Sequence, residues 1–212
     1  MKFPFKISWR KQPTPAERFI MDFASCEGYF TLQEGFLAHH LAGRLTRGCI
    51  IEIGSWQGRS TVAWALGLRD ATRGLQVYAI DRQHHENFDK NIARLRLEKQ
   101  VVKVQGLSVS VAETWKQAAE LIFIDGGHDY EMVKADFKAW LPYLMPGGYM
   151  VLHDAGGFWP GPTKVFGEEI MGRPDKWTNV HVVDSAAFAQ REPAVKEEYY
   201  CPWVADELQH SH

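Results

Sequence analysis

Four residues whose side chains can do chemistry sit just after apolar runs: Asp125 and His128 in FIDGGHDY, and His153 and Asp154 in MVLHD. Carboxylates beside imidazoles can move a proton, with His153 or His128 as the general base. They can equally hold a divalent cation, which orients an acceptor hydroxyl and lowers its pKa. A third acid, Asp81, closes the run QVYAI, and a carboxylate there can accept both hydroxyls of a ribose. The stretch IIEIGSWQGRST adds Glu52, Gly54, Ser55 and Gly58. Its G-x-x-x-G spacing lets a strand turn sharply into a helix, and it lacks the middle glycine of the dinucleotide fingerprint, which argues against a pyrophosphate cradle.

These residues can meet only if the runs that precede them are neighbouring strands. Five short apolar runs, CIIEI, QVYAI, VVKVQ, ELIFID and GYMVLHD, alternate with the helical patterns RSTVAWALGL, ENFDKNIARLRL, SVAETWKQA and YEMVKADFKAWLPYLM. That rhythm predicts an α/β fold, a doubly wound sheet of five parallel strands with helices on both faces. Ligands of such sheets bind at the carboxyl ends of the strands. That edge would carry Glu52 to Gly58, Asp81 with Arg82, Leu107 with Ser108, Asp125 with His128, and His153 with Asp154.

Two helices precede the first strand. Each opens on a capping box, Thr14 with Glu17 and Pro15 at the first helical position, then Thr31 with Glu34, the second helix stopping near Gly48. Toward the carboxyl end, GPTKVFGEEIMG predicts a helix started by Pro162, and NVHVVDSAAFAQR predicts an antiparallel hairpin. A parallel sheet that finishes in a hairpin is not the layout of a nicotinamide dehydrogenase. At 212 residues the chain is expected to form one domain, with residues 1–47 as a helical extension, 48–191 as the core and 192–212 as a tail that packs on the domain or on a partner subunit.

A net charge of -2, from 24 basic and 26 acidic residues, excludes a broad polyanion-binding surface, so neither nucleic acid nor membrane is an expected partner. Cys26, Cys49 and Cys201 are odd in number and widely spaced, which reads as reduced thiols. With no signal-peptide pattern and no apolar run of the ~18 residues a membrane helix requires, a cytoplasmic protein is expected. His84 and His85 fall in a polar loop and His39 and His40 inside a helix, places where solvation or packing is the simpler role. Phe158 and Trp159 follow Asp154 directly and either cover an apolar acceptor or anchor a loop.

Taken together, EIGSWQGRST, Asp81 and the block FIDGGHDYEMVKADFKAWLPYLMPGGYMVLHD resemble the class I S-adenosylmethionine-dependent methyltransferases, with a Rossmann-like sheet, over residues 32 to 191. Within that superfamily the chain is similar to a small-domain bacterial group related to macrolide sugar O-methyltransferases and cephalosporin hydroxylase. The resemblance implies that Glu52, Gly54, Ser55 and Gly58 wrap the methionine end of S-adenosylmethionine, Asp81 holds the ribose, and Leu107 and Ser108 border the adenine, with Arg82 and Asp125 completing the cofactor set. It implies methyl transfer to a small-molecule acceptor, most simply an oxygen, and a homodimer as a candidate assembly. A divalent cation, magnesium or manganese, would be held by Asp125, Asp154 and His153. Here the chain departs from its relatives, having Ala155 where the catechol type has Asn and His153 where the sugar type has Asp. Histidine suits manganese, iron or zinc better than magnesium. A nicotinamide-dependent oxidoreductase and a non-catalytic cofactor-binding module are the competing readings; NADH set against S-adenosylhomocysteine in a titration separates the first, tight binding without turnover the second.

Overall fold

The protein is described by a computed structural model over residues 12–157 and 159–193. Two helices come first, α1 (Pro15–Ala24) and α2 (Leu32–Arg44). Then follow β1 (Cys49–Ile53), α3 (Arg59–Ala71), β2 (Val77–Asp81), α4 (Glu86–Leu95), β3 (Val101–Gln105), α5 (Ser108–Thr114), β4 (Ala119–Ile124), α6 (Tyr130–Trp140) and β5 (Leu144–Leu152). The chain ends in α7 (Pro160–Phe166), a π turn at Gly167–Met171, and β6 (Trp177–Val183) and β7 (Ala186–Arg191). Phe158, Cys201 and the tail from Ala194 lie outside the described residues.

The seven strands form one sheet in the order β3-β2-β1-β4-β5-β7-β6. The first five are parallel, and β7 and β6 add an antiparallel hairpin at the β5 edge. The order reverses between β1 and β4, which opens a crevice at their carboxyl ends. Successive strand residues face opposite sides, so Ile50 joins one core with Phe23, Trp64, Phe88 and Phe123 under α1 to α4. Ile51 joins the other, with Ile122, Phe137, Trp140 and Val165 under α5 to α7.

Both capping boxes form: the Thr14 and Thr31 hydroxyls accept from the N–H groups of Glu17 and Glu34, whose carboxylates accept in return. The second helix ends at Arg44, four residues before the expected Gly48. The cause is Glu120 at the start of β4, whose Oε2 accepts from the N–H groups of Thr46, Arg47 and Gly48 at 2.8, 2.9 and 3.0 Å and holds that backbone out of the helix. The late helix starts at Pro160 and not at Pro162. A proline's missing N–H costs nothing in the first turn, so both residues fit there. The hairpin turns on Asp184 and Ser185, between the paired residues Val183 and Ala186, and Asp184 takes a left-handed φ of 51°. Cys26 and Cys49 are buried, their thiols donating to the carbonyls of Asp22 and Ala118. No helix among the described residues is long and apolar enough to cross a membrane.

Candidate active site

A cavity of about 1460 Å³ opens along the carboxyl edge of the sheet. Its walls include Ser55, Asp81, Arg82, Leu107, Ser108, Asp125, His128, His153 and Asp154, each at a strand end as the alternating pattern requires. Two segments beyond the parallel sheet complete it: Gly28 to Thr31 before α2, and Asp184 with Ser185 at the hairpin turn.

The turn after β1 is held by Asp81. Its Oδ2 accepts from the N–H groups of Ser55 at 3.0 Å and Trp56 at 2.9 Å, and its Oδ1 from Gln83 N–H at 3.1 Å. A carboxylate offers roughly four lone-pair sites, so the expected double bond to a ribose finds only about one site free. Gly54 has φ 85°, and a Cβ there would lie 2.1 Å from the carbonyl oxygen of Asp125. The backbone after β4 thus already requires the glycine, which also lines the cavity. Gly58, at φ 83°, caps the start of α3, where a Cβ would meet the Phe88 ring at 2.9 Å. Neither Gly58 nor Glu52 lines the cavity.

Glu52 lies beneath the turn, fully buried, its two oxygens accepting from the hydroxyls of Ser60 and Thr61. Burial outweighs those bonds and pushes its pKa up to about 8. It reads as a neutral brace for the β1–α3 turn, away from the position expected for a cofactor ligand. The Ser55 hydroxyl, by contrast, is buried on the cavity side with no hydrogen-bond partner among the described residues. Such an orphan calls for a ligand or water. At the far wall Ser108 Oγ accepts from Trp140 Nε1 at 2.7 Å, Leu107 is exposed, and the Arg82 carbonyl accepts from Gln105.

The four residues singled out for chemistry do meet. His153 Nδ1 stands 3.0 Å from Asp125 Oδ1 and 3.3 Å from Asp154 Oδ2, as an ion pair without hydrogen-bond alignment to either. On its other side Nε2 faces Ser185 Oγ at 3.1 Å and Glu34 Oε2 at 3.4 Å. Burial disfavours a charged imidazole, but three carboxylates outweigh it and drive the His153 pKa up to about 12. So enclosed, the ring favours its protonated form, which suits it less well than His128 to the general-base and metal-ligand roles expected of it. His128 is the better placed imidazole: half exposed, with Nε2 2.9 Å from Asp154 Oδ2 and its ring stacked on Trp159 at 4.7 Å. The atoms that can converge on an ion belong to Asp125, His128 and Asp154, within 4.8 Å of one another. Burial raises the Asp125 pKa, while burial on Asp154 is overcome by His153 and His128, which lower it. Asp154 and Trp56 hold left-handed φ angles of 57° and 40°, unusual for residues with side chains.

Glu34 was visible in the sequence only as a capping acid. It is wholly buried, and Oε1 accepts from Ser185 N–H at 3.0 Å, Ser185 Oγ at 2.7 Å and Ala186 N–H at 3.1 Å, while Oε2 accepts from Thr31 N–H at 2.7 Å. These bonds and His153 hold its pKa down to about 2 against the effect of burial. Thr31 Oγ1 also donates to Asp184 Oδ2 at 2.6 Å. No local signal tells that the hairpin turn lands on this helix. His39 pairs with Asp70 at 3.0 Å, and His84 bonds the Ala79 carbonyl, both structural places.

Residues 51–155 match the model of a family described as a methyltransferase domain. The chain is similar to the solved O-methyltransferase from Bacillus cereus in complex with S-adenosylhomocysteine, at 20% identity over 85% of this chain and 92% of that one, with a TM-score of 0.64. It is similar to the O-methyltransferase NovP at 16% identity over 78% of this chain and 83% of that one, with a TM-score of 0.67. MycE, a methyltransferase of the mycinamycin biosynthetic pathway solved with magnesium and S-adenosylhomocysteine, gives 19% identity over 85% of this chain and 55% of that one, with a TM-score of 0.58. Identities this low carry the fold and nothing finer.

Proposed function

We propose, from the premise that this chain is a class I S-adenosylmethionine-dependent methyltransferase by its domain at residues 51–155, that it methylates an oxygen of a small molecule. The observation that carries this reading is the convergence of Asp125, His128 and Asp154 in the same cavity as the turn pinned by Asp81. Bound S-adenosylmethionine would supply a sulfonium methyl group. The orphaned Ser55 hydroxyl, the remaining acceptor site of Asp81, and Leu107 and Ser108 are the residues available to hold the cofactor; Glu52 and Gly58 act from behind.

Asp125, His128 and Asp154 fit a divalent cation, and the donor set of one nitrogen and two carboxylates favours manganese over magnesium. A cation there would lower the pKa of the acceptor hydroxyl. The pairing of His128 with Asp154 at 2.9 Å favours a second reading. As a neutral imidazole donating from Nε2 to Asp154, His128 keeps its Nδ1 lone pair for the hydroxyl proton. Both uses need the same ring, so they exclude each other.

The test is S-adenosylhomocysteine release over a panel of hydroxylated acceptors, with and without a chelator. Loss of turnover with chelator and recovery with manganese supports the cation. Chelator-insensitive turnover that H128N lowers roughly 10²-fold supports the base. A folded protein that binds no S-adenosylhomocysteine refutes the methyltransferase assignment of the cavity.

A further inference from the structure

At about 1460 Å³ the cavity exceeds the roughly 300 to 1,000 Å³ of a single-ligand pocket. Its end nearest His153 is built from Tyr29, Thr31, Asp184 and Ser185, all outside the segment that matches the methyltransferase family, together with Trp159. Segments outside the matched domain thus help to shape this end, beside Trp56, His128 and Asp154 from within it.

That chemistry has two marked features. First, aromatic rings stand exposed on it. Tyr29 is 85% exposed and stacks on Trp56 at 5.7 Å and 4°, and Trp159 is 48% exposed over His128. Secondly, its charge is one-sided. Asp184 is exposed, with Oδ2 held by Thr31, and Asp154 lines the same cavity. The cations do not offset these acids. His153 is enclosed by Asp125, Asp154 and Glu34, and Arg59 directs its guanidinium at the carbonyl oxygens of Phe23, Cys26 and Phe30. Arg82 belongs to the opposite end, beside Leu107 and Gln105. With Asp154 already paired to His128 and His153, an acceptor bearing a carboxylate or phosphate would meet Asp184 and, at that end, no unengaged cationic side chain among the described residues. A cationic amine would meet Asp184 and the faces of aromatic rings, which attract cations.

We infer that the methyl acceptor is a flat-ringed small molecule carrying a cationic amine, with Asp184 as the residue that selects for the charge. This rests on the methyltransferase reading above, so cofactor and acceptor binding are measured separately. The full chain is first titrated with S-adenosylhomocysteine; failure there sinks the methyltransferase reading, and this inference with it. The loaded protein is then titrated by calorimetry with two matched probes, tryptamine and indole-3-acetate, which share a ring system and differ in charge. Attraction of one and repulsion of the other, each worth a few-fold at a partly exposed site, predict about tenfold tighter binding of the amine. D184N keeps the left-handed backbone that Asn tolerates and should shrink the ratio to about threefold or less. W159A should weaken both probes and leave the ratio standing. Equal or tighter binding of the acid, binding of neither probe by protein that holds S-adenosylhomocysteine, or a ratio unchanged in D184N overturns the inference and leaves the methyltransferase reading intact.

Discussion

Replacing Glu52 by glutamine removes a buried acid whose protonation the fold depends on. With an ordinary pKa of 4.5 and a folded value of about 8, the native state holds its proton more tightly than the unfolded chain does. A raised pKa contributes stability that is complete below 4.5 and is lost as pH rises through about 8. The slope inside that window is about 1.4 kcal/mol per pH unit, so the whole gap is worth on the order of 5 kcal/mol. His153, raised to about 12, loses its contribution in the same direction above 6.5, so the wild type alone does not isolate Glu52. The comparison with E52Q does. Glutamine keeps the shape: its amide oxygen accepts from one of the two hydroxyls, and its Nε2 donates to the other, which rotates to accept. Urea unfolding midpoints measured from pH 5 to 9 should fall more steeply for wild type than for E52Q, with E52Q gaining relative stability up to about pH 8 and a constant difference beyond. Parallel curves would refute the assignment of Glu52 as a neutral brace.

Three other outcomes follow from the same geometry. Gly54→Ala sets a Cβ 2.1 Å from the Asp125 carbonyl at φ 85°, a backbone clash that no rotamer relieves; a loss of about 2 to 5 kcal/mol is expected in denaturant unfolding, and a wild-type midpoint would show that the turn has been misread. Asp81→Ala removes the acceptor for three backbone donors and should weaken S-adenosylhomocysteine binding about tenfold, with unchanged affinity by calorimetry counting against it. Glu34→Ala strands the N–H groups of Ser185 and Ala186 and should cost about 3 to 5 kcal/mol at pH 7; because the Glu34 pKa is lowered to about 2, its contribution is present above 4.5 and fades as pH falls through about 2, so mutant and wild-type unfolding curves should converge toward acid.

The parallel sheet was legible because each strand run ended in its own polar or glycine signal and each helix in a pattern of period 3.6. The hairpin was legible because VHVV and AAFAQ have only two residues between them. Asp81, Asp125, His128, His153 and Asp154 could be placed on one edge by topology alone. What each does there could not, because roles depend on which lone pair points where. Gly54 was read as letting the strand turn sharply, but that its missing Cβ clears the Asp125 carbonyl could not be read from spacing; Glu52 was placed in the site by its position in the apolar run and lies on the side facing α3. The surroundings of His153 were hidden for the same reason: of the three carboxylates around it only Asp154 is a chain neighbour, while Asp125 follows β4 and Glu34 comes from a helix that precedes the sheet. Side-chain partners 119 and 151 residues away in sequence leave no local mark.

The bond between Glu34 and Ser185 spans 151 residues, and this dictates when the site can exist during synthesis. A ribosome delivers the chain from its amino end, so β1 to β4, with the turn pinned by Asp81, are all available before the hairpin has emerged. Until residue 186 is out, Glu34 is an acid without its hairpin donors and His153 has neither Ser185 beside it nor a closed wall behind it. The cofactor end can therefore be assembled before the acceptor end, and the cost of closing so long a loop is met at the last step. A chain cut short by some thirty residues would lose the hairpin turn and, with it, Asp184 and Ser185 from the cavity wall.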